Sequence, residues 1–216
     1  MPKLSRSGQC CQTMRCNNTN TSYYHDDGVA FPFRIKDVQP ESCGCQGFGL
    51  YCDDELGLLL ELPYAGNFTV EYILYRSRKI KISDPNDCFP QKLLVLNLTT
   101  TPFRRSRSAE YQIYNCSGSD YPVDDSYEEK IDCLSGLDYT VISDKSSLLD
   151  GNTKPSCTFV KQVSVPIGYA YFTKSSLSYY SSVYLTWDRC VTCGKKLHFS
   201  ILFFFLSLSL FIFSLL

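Results

Sequence analysis

Twelve cysteines constrain this chain of 216 residues more than any other feature of its sequence. In an oxidising compartment they can form six disulfide bonds, which small secreted domains use to supplement a limited hydrophobic core. The spacing leaves open which cysteines pair. We therefore predict a disulfide-stapled fold that matures outside the cytosol. The candidate positions are Cys10, Cys11, Cys16, Cys43, Cys45, Cys52, Cys88, Cys116, Cys133, Cys157, Cys190 and Cys193.

Zinc binding is the alternative use of so many thiols. A structural zinc site usually combines two close cysteine pairs, or one such pair with two histidines, at regular separation. Apart from an adjacent pair near the N-terminus, only Cys43/Cys45 and Cys190/Cys193 are close in sequence, and the chain has two histidines. Because this spacing does not suit zinc ligation, we predict no metal site and no cofactor.

Asparagine acceptor triplets also indicate secretion. Five asparagines begin an Asn-x-Ser/Thr triplet without proline in the middle, where the composition would supply about one or two by chance. Serine-rich composition is the alternative explanation, but we predict N-glycosylation. The five are Asn17, Asn20, Asn67, Asn97 and Asn115.

The two ends of the sequence suggest a membrane anchor and a missing leader. Residues 197–216 carry no charged side chain, and a helix of that length, at about 1.5 Å per residue, spans the roughly 30 Å hydrocarbon core of a bilayer. We predict one transmembrane helix there, with the preceding residues outside the plasma membrane. Residues 1–15 lack the apolar stretch of a secretory signal, so we expect that the leader is missing from this sequence.

Short runs with two-residue periodicity predict a mainly β fold. Ile80 and Ile82 alternate with Lys79 and Lys81, as a strand with one buried face requires. No helical periodicity is sustained before residue 197. We predict a cysteine-rich β domain over 16–118 and a smaller cysteine-containing unit over 119–193. The predicted strands are 29–35, 57–62, 68–75, 79–83, 93–98, 158–165 and 182–186.

No group of residues predicts catalysis. Acidic pairs such as Asp53/Asp54 are sequence neighbours, whose side chains point to opposite sides of a strand. One histidine, His198, lies in the apolar segment, and His25 has no nucleophile signature nearby. The net charge of -1 provides no general field for nucleic acid. We predict that the chain is not an enzyme and binds no nucleic acid.

Two short basic clusters in a tyrosine-rich chain predict a binding role. Guanidinium groups grip carboxylates through paired hydrogen bonds, and a tyrosine ring offers an apolar face with a hydroxyl at its rim. This combination suits a uronic-acid polymer. Alternatively, the lysines line the solvent face of a strand and protect its edge. The clusters are Arg76, Arg78, Lys79 and Lys81, and Arg104, Arg105 and Arg107.

An ordered set of motifs carries a family resemblance. It includes Phe31-Pro32-Phe33, Glu41-Ser42-Cys43-Gly44, the GFGLYC stretch at 47–52, Gly66-Asn67-Phe68-Thr69-Val70, Asp84-Pro85 before Cys88, and Leu185-Thr186-Trp187 before Cys190 and Cys193. This order resembles the galacturonan-binding ectodomain of plant wall-associated receptor kinases. It especially resembles the version carried by membrane-anchored ATL-type RING-finger ubiquitin ligases.

The resemblance implies a wall-facing domain that binds pectin-like polysaccharide or oligogalacturonide. The family often has Cys-Gly where this chain has Asp27-Gly28, so one bridge is expected to shift toward Cys10, Cys11 or Cys16. The RING finger of the ligase relatives is missing from this sequence. Two alternative functions therefore stay open: a truncated RING-type E3 ubiquitin ligase, and an ectodomain that recognises a protein.

Overall fold

Short strands with alternating buried and exposed side chains dominate the computed structural model. It describes residues 12–16, 28–105, 108–123, 128–145, 154, 156–166 and 182–190. The strands are β1 (Arg34–Ile35), β2 (Gly49–Asp53), β3 (Gly57–Leu62), β4 (Gly66–Leu74), β5 (Lys79–Ser83), β6 (Phe103–Arg105), β7 (Ser108–Ser117), β8 (Glu128–Lys130), β9 (Tyr139–Asp144), β10 (Cys157–Pro166) and β11 (Ser182–Trp187). One α-helix, α1 (Phe89–Val95), and two 3-10 turns, Glu41–Cys43 and Asp132–Leu134, complete the described elements.

The strands form two sheets. The first has seven strands in the order β1-β2-β3-β4-β5-β11-β6, and the second has four in the order β10-β7-β9-β8. The β1–β2 pair is parallel and the other pairs are antiparallel. Strand β11 lies between β5 and β6, although it comes last in the sequence. Strands from both sides of the predicted 118/119 boundary share both sheets, and the boundary itself stays a prediction.

The two sheets share one hydrophobic core. Leu60, Phe68 and Leu185 from the seven-stranded sheet lie in the same buried cluster as Ile113 and Val165 from the four-stranded sheet. At one end of this core, the ring of Phe33 contacts four other aromatic rings. Its ring centroid lies 5.0 Å from that of Trp187, 5.2 Å from Phe48, and 6.3 Å from both Tyr75 and Phe103. These contacts hold β1, β6 and the end of β11 together.

Helix α1 replaces part of a predicted strand. The prediction of a strand at 93–98 was wrong, because residues 93–95 belong to the helix. Pro90 lies in the first turn of the helix, where its missing N–H is not needed and its fixed φ favours helix. Phe89, Pro90 and Leu93 bury one face of the helix. Seven residues are too few for a helical period to be distinguished from a short apolar strand.

Disulfide bonds connect distant parts of the chain, which confirms the predicted disulfide-stapled β fold. Cys43 is also disulfide-bonded, whereas Cys10, Cys11 and Cys193 lie outside the described residues. The described pairs are Cys16–Cys52, Cys45–Cys190, Cys88–Cys133 and Cys116–Cys157.

The prediction of a C-terminal transmembrane helix has to be corrected. Within the described ranges, no helix combines the length and apolar character needed to cross a membrane. Residues 197–216, on which the prediction was placed, lie outside those ranges. The fold class is accordingly mainly β with disulfide bonds.

Three charged side chains are buried against the four-stranded sheet. The Lys154 ammonium contacts the Glu128 carboxylate and lies 2.8 Å from Oδ2 of Asp144. The side chains of Lys154, Glu128 and Asp144 are only 11%, 8% and 1% exposed. Burial alone would lower the pKa of Lys154, but hydrogen bonds and charges from Asp144 and Glu128 outweigh it and raise the pKa above its ordinary value. The ammonium is therefore held in its charged form.

We expect stability to fall in alkaline solution. The pKa of Lys154 is higher in the folded protein than in the unfolded chain. The stabilisation that Lys154 contributes to the free energy of unfolding is therefore complete below the unfolded-state pKa of about 10.4, and it is lost as pH rises through the folded-state pKa. Burial, followed by the charge of Glu128, also raises the pKa of Tyr121, which acts in the same direction. The limiting slope is about 1.4 kcal/mol per pH unit for each proton.

Urea unfolding from about pH 8 to about pH 11 measures this effect. A Tyr121→Phe control removes the contribution of Tyr121 and keeps those of Lys154 and of Tyr184, whose pKa is also raised by burial. An unfolding free energy that is constant over this range would contradict the assignment.

Candidate functional site

The seven-stranded sheet has a polar side opposite the core. In β5, Ile80 and Ile82 are buried while the side chains between them point away from the core. The same alternation in β11 buries Val183 and Leu185. We call this polar side the outer face. Its main members are Glu71, Tyr72, Lys79, Lys81, Tyr184, Thr186 and Arg104.

Strand β11 brings the two predicted basic clusters together. Thr186 pairs with Lys79 of β5 on one side and with Arg104 of β6 on the other. Because neighbouring strands lie about 4.8 Å apart, the backbones of Lys79 and Arg104 are roughly 10 Å apart in one row across the sheet. We call Arg76, Arg78, Lys79 and Arg104 the basic row.

The turn between β4 and β5 places the two remaining arginines of the row. Arg76 and Arg78 are exposed. Arg78 adopts a left-handed φ of 51°, and its carbonyl accepts a hydrogen bond of 3.2 Å from the backbone N–H of Trp187. Trp187 in turn pairs with Phe103 of β6. The turn is therefore fixed at the end of the sheet that carries Arg104.

Two predicted basic residues already have acidic partners. The Lys81 ammonium lies 2.5 Å from the Glu71 carboxylate, and Nε of Arg104 donates a hydrogen bond of 2.6 Å to Asp188. Both side chains of the Arg104–Asp188 pair are exposed, and such pairs contribute little to stability. Lys81 is more enclosed than Arg104: its side chain is 25% exposed, whereas that of Arg104 is 70% exposed.

The other predicted basic residues differ in position. Arg105 pairs with Leu185, whose side chain is in the core, so Arg105 lies on the opposite side of the sheet edge from Arg104. Arg107 lies outside the described residues. Among the described residues, no acidic group forms an ion pair with Arg76, Arg78 or Arg105. Lys79 and Lys81 do not protect a sheet edge, because their strand, β5, pairs with β4 on one side and with β11 on the other.

Sequence reasoning missed two tyrosines of the outer face. Tyr72 and Tyr184 both pair with Lys81, one from each side. Their ring centroids are 5.7 Å apart with an interplanar angle of 64°. Burial and the charge of Glu71 raise the pKa of Tyr184, so its hydroxyl stays protonated. Tyr184 alternates with buried Val183 and Leu185, which was the available signal in β11. Tyr72 has no such signal, because it shares the parity of buried Val70 and a register shift between these two residues places it beside Lys81. Only the strand order brings the two tyrosines together.

A second cation–aromatic group lies at the other end of the same side. The Lys36 ammonium is 4.0 Å above the Tyr51 ring, and the Tyr51 hydroxyl donates a hydrogen bond of 3.2 Å to Glu61. Lys36 and Glu61 also form an ion pair at 3.6 Å. The three groups satisfy one another, so this end of the sheet has little charge to offer a ligand.

The predicted acceptor asparagines occupy exposed positions where the structure describes them. Asn67 lies at the start of β4, Asn97 follows α1, and Asn115 lies near the end of β7. Oδ1 of Asn97 accepts hydrogen bonds from the backbone and hydroxyl of Thr99, at 3.0 and 2.7 Å. Asn17 and Asn20 lie outside the described residues, and glycosylation stays a prediction.

The part of the chain that the structure describes contains no group of three or more His, Cys, Asp or Glu side chains placed to hold a metal ion. Both histidines, His25 and His198, lie outside it.

The N-terminal part of the chain matches a known protein family. Residues 10–84 match the family described as wall-associated receptor kinase galacturonan-binding. The match confirms the predicted resemblance. The matched segment contains β1 to β5. It also contains Arg76, Arg78 and Lys79 of the basic row. Strands β6 and β11, which complete the outer face, lie beyond its last residue.

Similar proteins extend over more of the chain. RING-H2 finger protein ATL22 of Arabidopsis thaliana is 31% identical over 200 residues, which are 90% of this chain and 51% of that protein. The RING-H2 finger relative ATL21A of the same plant is 30% identical over 195 residues, 87% of this chain and 50% of its own length. The chain thus spans about half the length of these curated relatives. No solved structure matches the chain significantly.

Proposed function

We propose that the outer face binds an acidic, pectin-like polysaccharide such as oligogalacturonide in an extracellular, wall-facing setting. One observation carries this proposal. Strand β11 lies between two basic clusters that are distant in sequence and places them in one row. The wall-associated galacturonan-binding match supports the ligand class. The disulfide bonds support an oxidising, extracellular environment.

The chemistry of the row suits a chain of uronic acids. Each sugar of such a polymer carries one carboxylate, and arginine binds carboxylates through two parallel hydrogen bonds. Because Arg76 and Arg78 lie in the turn and Arg104 lies across β11, several carboxylates of one polymer can be held at once. Each exposed contact is weak, so we expect binding to depend on several sugars and to weaken with added salt.

Neutralising one arginine from each cluster tests the row. For Arg78→Gln with Arg104→Gln we expect about tenfold weaker binding of oligogalacturonide, since the loss of two exposed charge contacts at about 0.7 kcal/mol each gives that factor. Isothermal titration calorimetry at low salt measures it.

The matched control is Lys130→Gln with Lys145→Gln, two exposed lysines associated with the four-stranded sheet. This control changes the net charge by the same amount and should bind as the unmodified protein does. If both variants lose affinity equally, the basic row is not the site. If oligogalacturonide binds no better than a neutral glucan, the proposed function is wrong.

The RING-H2 relatives support a second proposal, which concerns the function of the half of each relative that this chain matches. We propose that the half of the relatives that this chain matches recognises a ligand and has no ubiquitin-transfer activity. A transfer assay with purified activating and conjugating enzymes tests it, and ubiquitin conjugates that require this chain would contradict it. Recognition of a protein instead of a polysaccharide stays a prediction, and a glycan array beside a plant-surface protein screen separates the two.

A further inference from the structure

Two uncharged aromatic side chains, Tyr72 and Tyr184, lie beside the basic row on the outer face. Tyr72 of β4 and Tyr184 of β11 lean toward each other over Lys81, the residue that separates them in the sheet. Both are partly exposed. Tyrosines with such exposure on a sheet surface present ring area to solvent while their positions are fixed by the strands. They form a small aromatic surface next to the basic row.

The centre of this aromatic surface is not a simple anion site. The Lys81 ammonium lies 2.5 Å from Glu71 and 5.5 Å from the centre of the Tyr72 ring. Since Glu71 compensates its charge, the local net charge of this pair is zero. The carboxylate of Glu71 is partly exposed and can accept hydrogen bonds from hydroxyl groups. The surface therefore favours a neutral, hydroxyl-bearing group with an apolar side.

The distance to the basic row matches a ligand that carries both kinds of group. Lys81 and Tyr184 are each two residues from Lys79 and Thr186 along their strands, which is about 7 Å at 3.4 Å per residue. A pyranose ring has C–H groups on one side and hydroxyls around its rim, and aromatic side chains bind such apolar sides. Each sugar of a uronic-acid polymer carries both a ring and a carboxylate, whereas polyglutamate carries carboxylates and no ring.

We propose that Tyr72 and Tyr184 form a sugar-ring subsite beside the basic row, which makes the outer face selective for uronic-acid polysaccharides over other polyanions. This inference rests on the proposed function, because it assigns a further part of the same ligand. The raised pKa of Tyr184 is consistent with it, since a protonated hydroxyl can donate a hydrogen bond to a sugar oxygen.

Binding of two anions of equal charge tests the inference. Titration calorimetry compares oligogalacturonide with polyglutamate of the same number of carboxylates, for the unmodified protein and for Tyr72→Thr with Tyr184→Thr. Threonine keeps strand propensity and removes the ring. We expect about tenfold weaker binding of oligogalacturonide by the variant, equivalent to about 1.4 kcal/mol, and an unchanged affinity for polyglutamate. Tyr64→Asn, at an 81% exposed tyrosine in the β3–β4 turn, serves as the control and should change neither affinity.

The outcomes separate the two proposals. If the unmodified protein binds neither anion, the proposed function fails. If it binds both with equal affinity, or if the double variant loses affinity equally for both, the basic row stands and the sugar-ring subsite is wrong. The comparison on the unmodified protein needs no variant, so the inference can fail even where the double variant does not fold.

Discussion

Replacing Phe33 by alanine is expected to lower the free energy of unfolding by about 3–5 kcal/mol. The Phe33 side chain is 1% exposed, and its ring contacts the rings of Trp187 and Phe48 at centroid distances of 5.0 and 5.2 Å. Truncation leaves a cavity whose four aromatic walls come from four different parts of the chain. Such walls cannot collapse together without moving β1, β6 and β11, so we expect a cost in the upper part of this range.

Urea unfolding followed by tryptophan fluorescence measures this loss directly, because the chain has one tryptophan and its ring lies against Phe33. The control is Phe159→Ala in β10, the same substitution at a residue that is 53% exposed. We expect this control to cost less than about 1 kcal/mol. Equal losses for the two variants would show that the Phe33 cluster is not a principal part of the core.

Removing the Cys45–Cys190 bond is expected to cost up to about 5 kcal/mol. Its cysteines are 145 residues apart, and in the chain-entropy treatment a longer closed loop restricts the unfolded chain more. The bond also fastens the segment after β11 to the N-terminal part of the sheet. Both cysteines have to be replaced together, as Cys45→Ala with Cys190→Ala, since a single replacement leaves a reactive thiol.

Comparison with the Cys16–Cys52 bond provides the control. Its cysteines are 36 residues apart, so the same treatment gives a loss of about 4 kcal/mol for Cys16→Ala with Cys52→Ala. Thermal and urea unfolding of both double variants establish the order. A larger loss for the shorter loop would contradict the entropic explanation and would point to strain or lost packing instead.

Local periodicity predicted three strands of the outer face but not β6, which carries Arg104. The expected strands at 68–75, 79–83 and 182–186 correspond to β4, β5 and β11. In β5 and β11, alternation of apolar and polar side chains reports which face is buried, whereas in β4 a register shift between Val70 and Tyr72 interrupts it. The same rule failed at α1, where apolar residues in a short segment fit either period. A mainly β, disulfide-bonded chain could therefore be recognised without coordinates, whereas the helix could not.

Sheet order and pairing were beyond local reasoning. Neither the row formed by Lys79, Thr186 and Arg104 nor the contact between Tyr72 and Tyr184 has a signal in the spacing of residues, since each depends on β11 pairing with β5 and β6. The disulfide partners are likewise far apart in sequence. The two basic clusters could be named as candidates, but their combination into one site required the three-dimensional arrangement.

The position of β11 has a consequence for how the protein is made. The strand that separates β5 from β6 is the last described strand to leave the ribosome. Until residue 187 has emerged, β5 has an open edge that can pair with other chains. The nascent protein therefore passes through a stage in which most of its sheet can exist but the proposed ligand surface cannot. The proposed binding thus depends on β11 as well as on residues 10–84, the segment that matches the family.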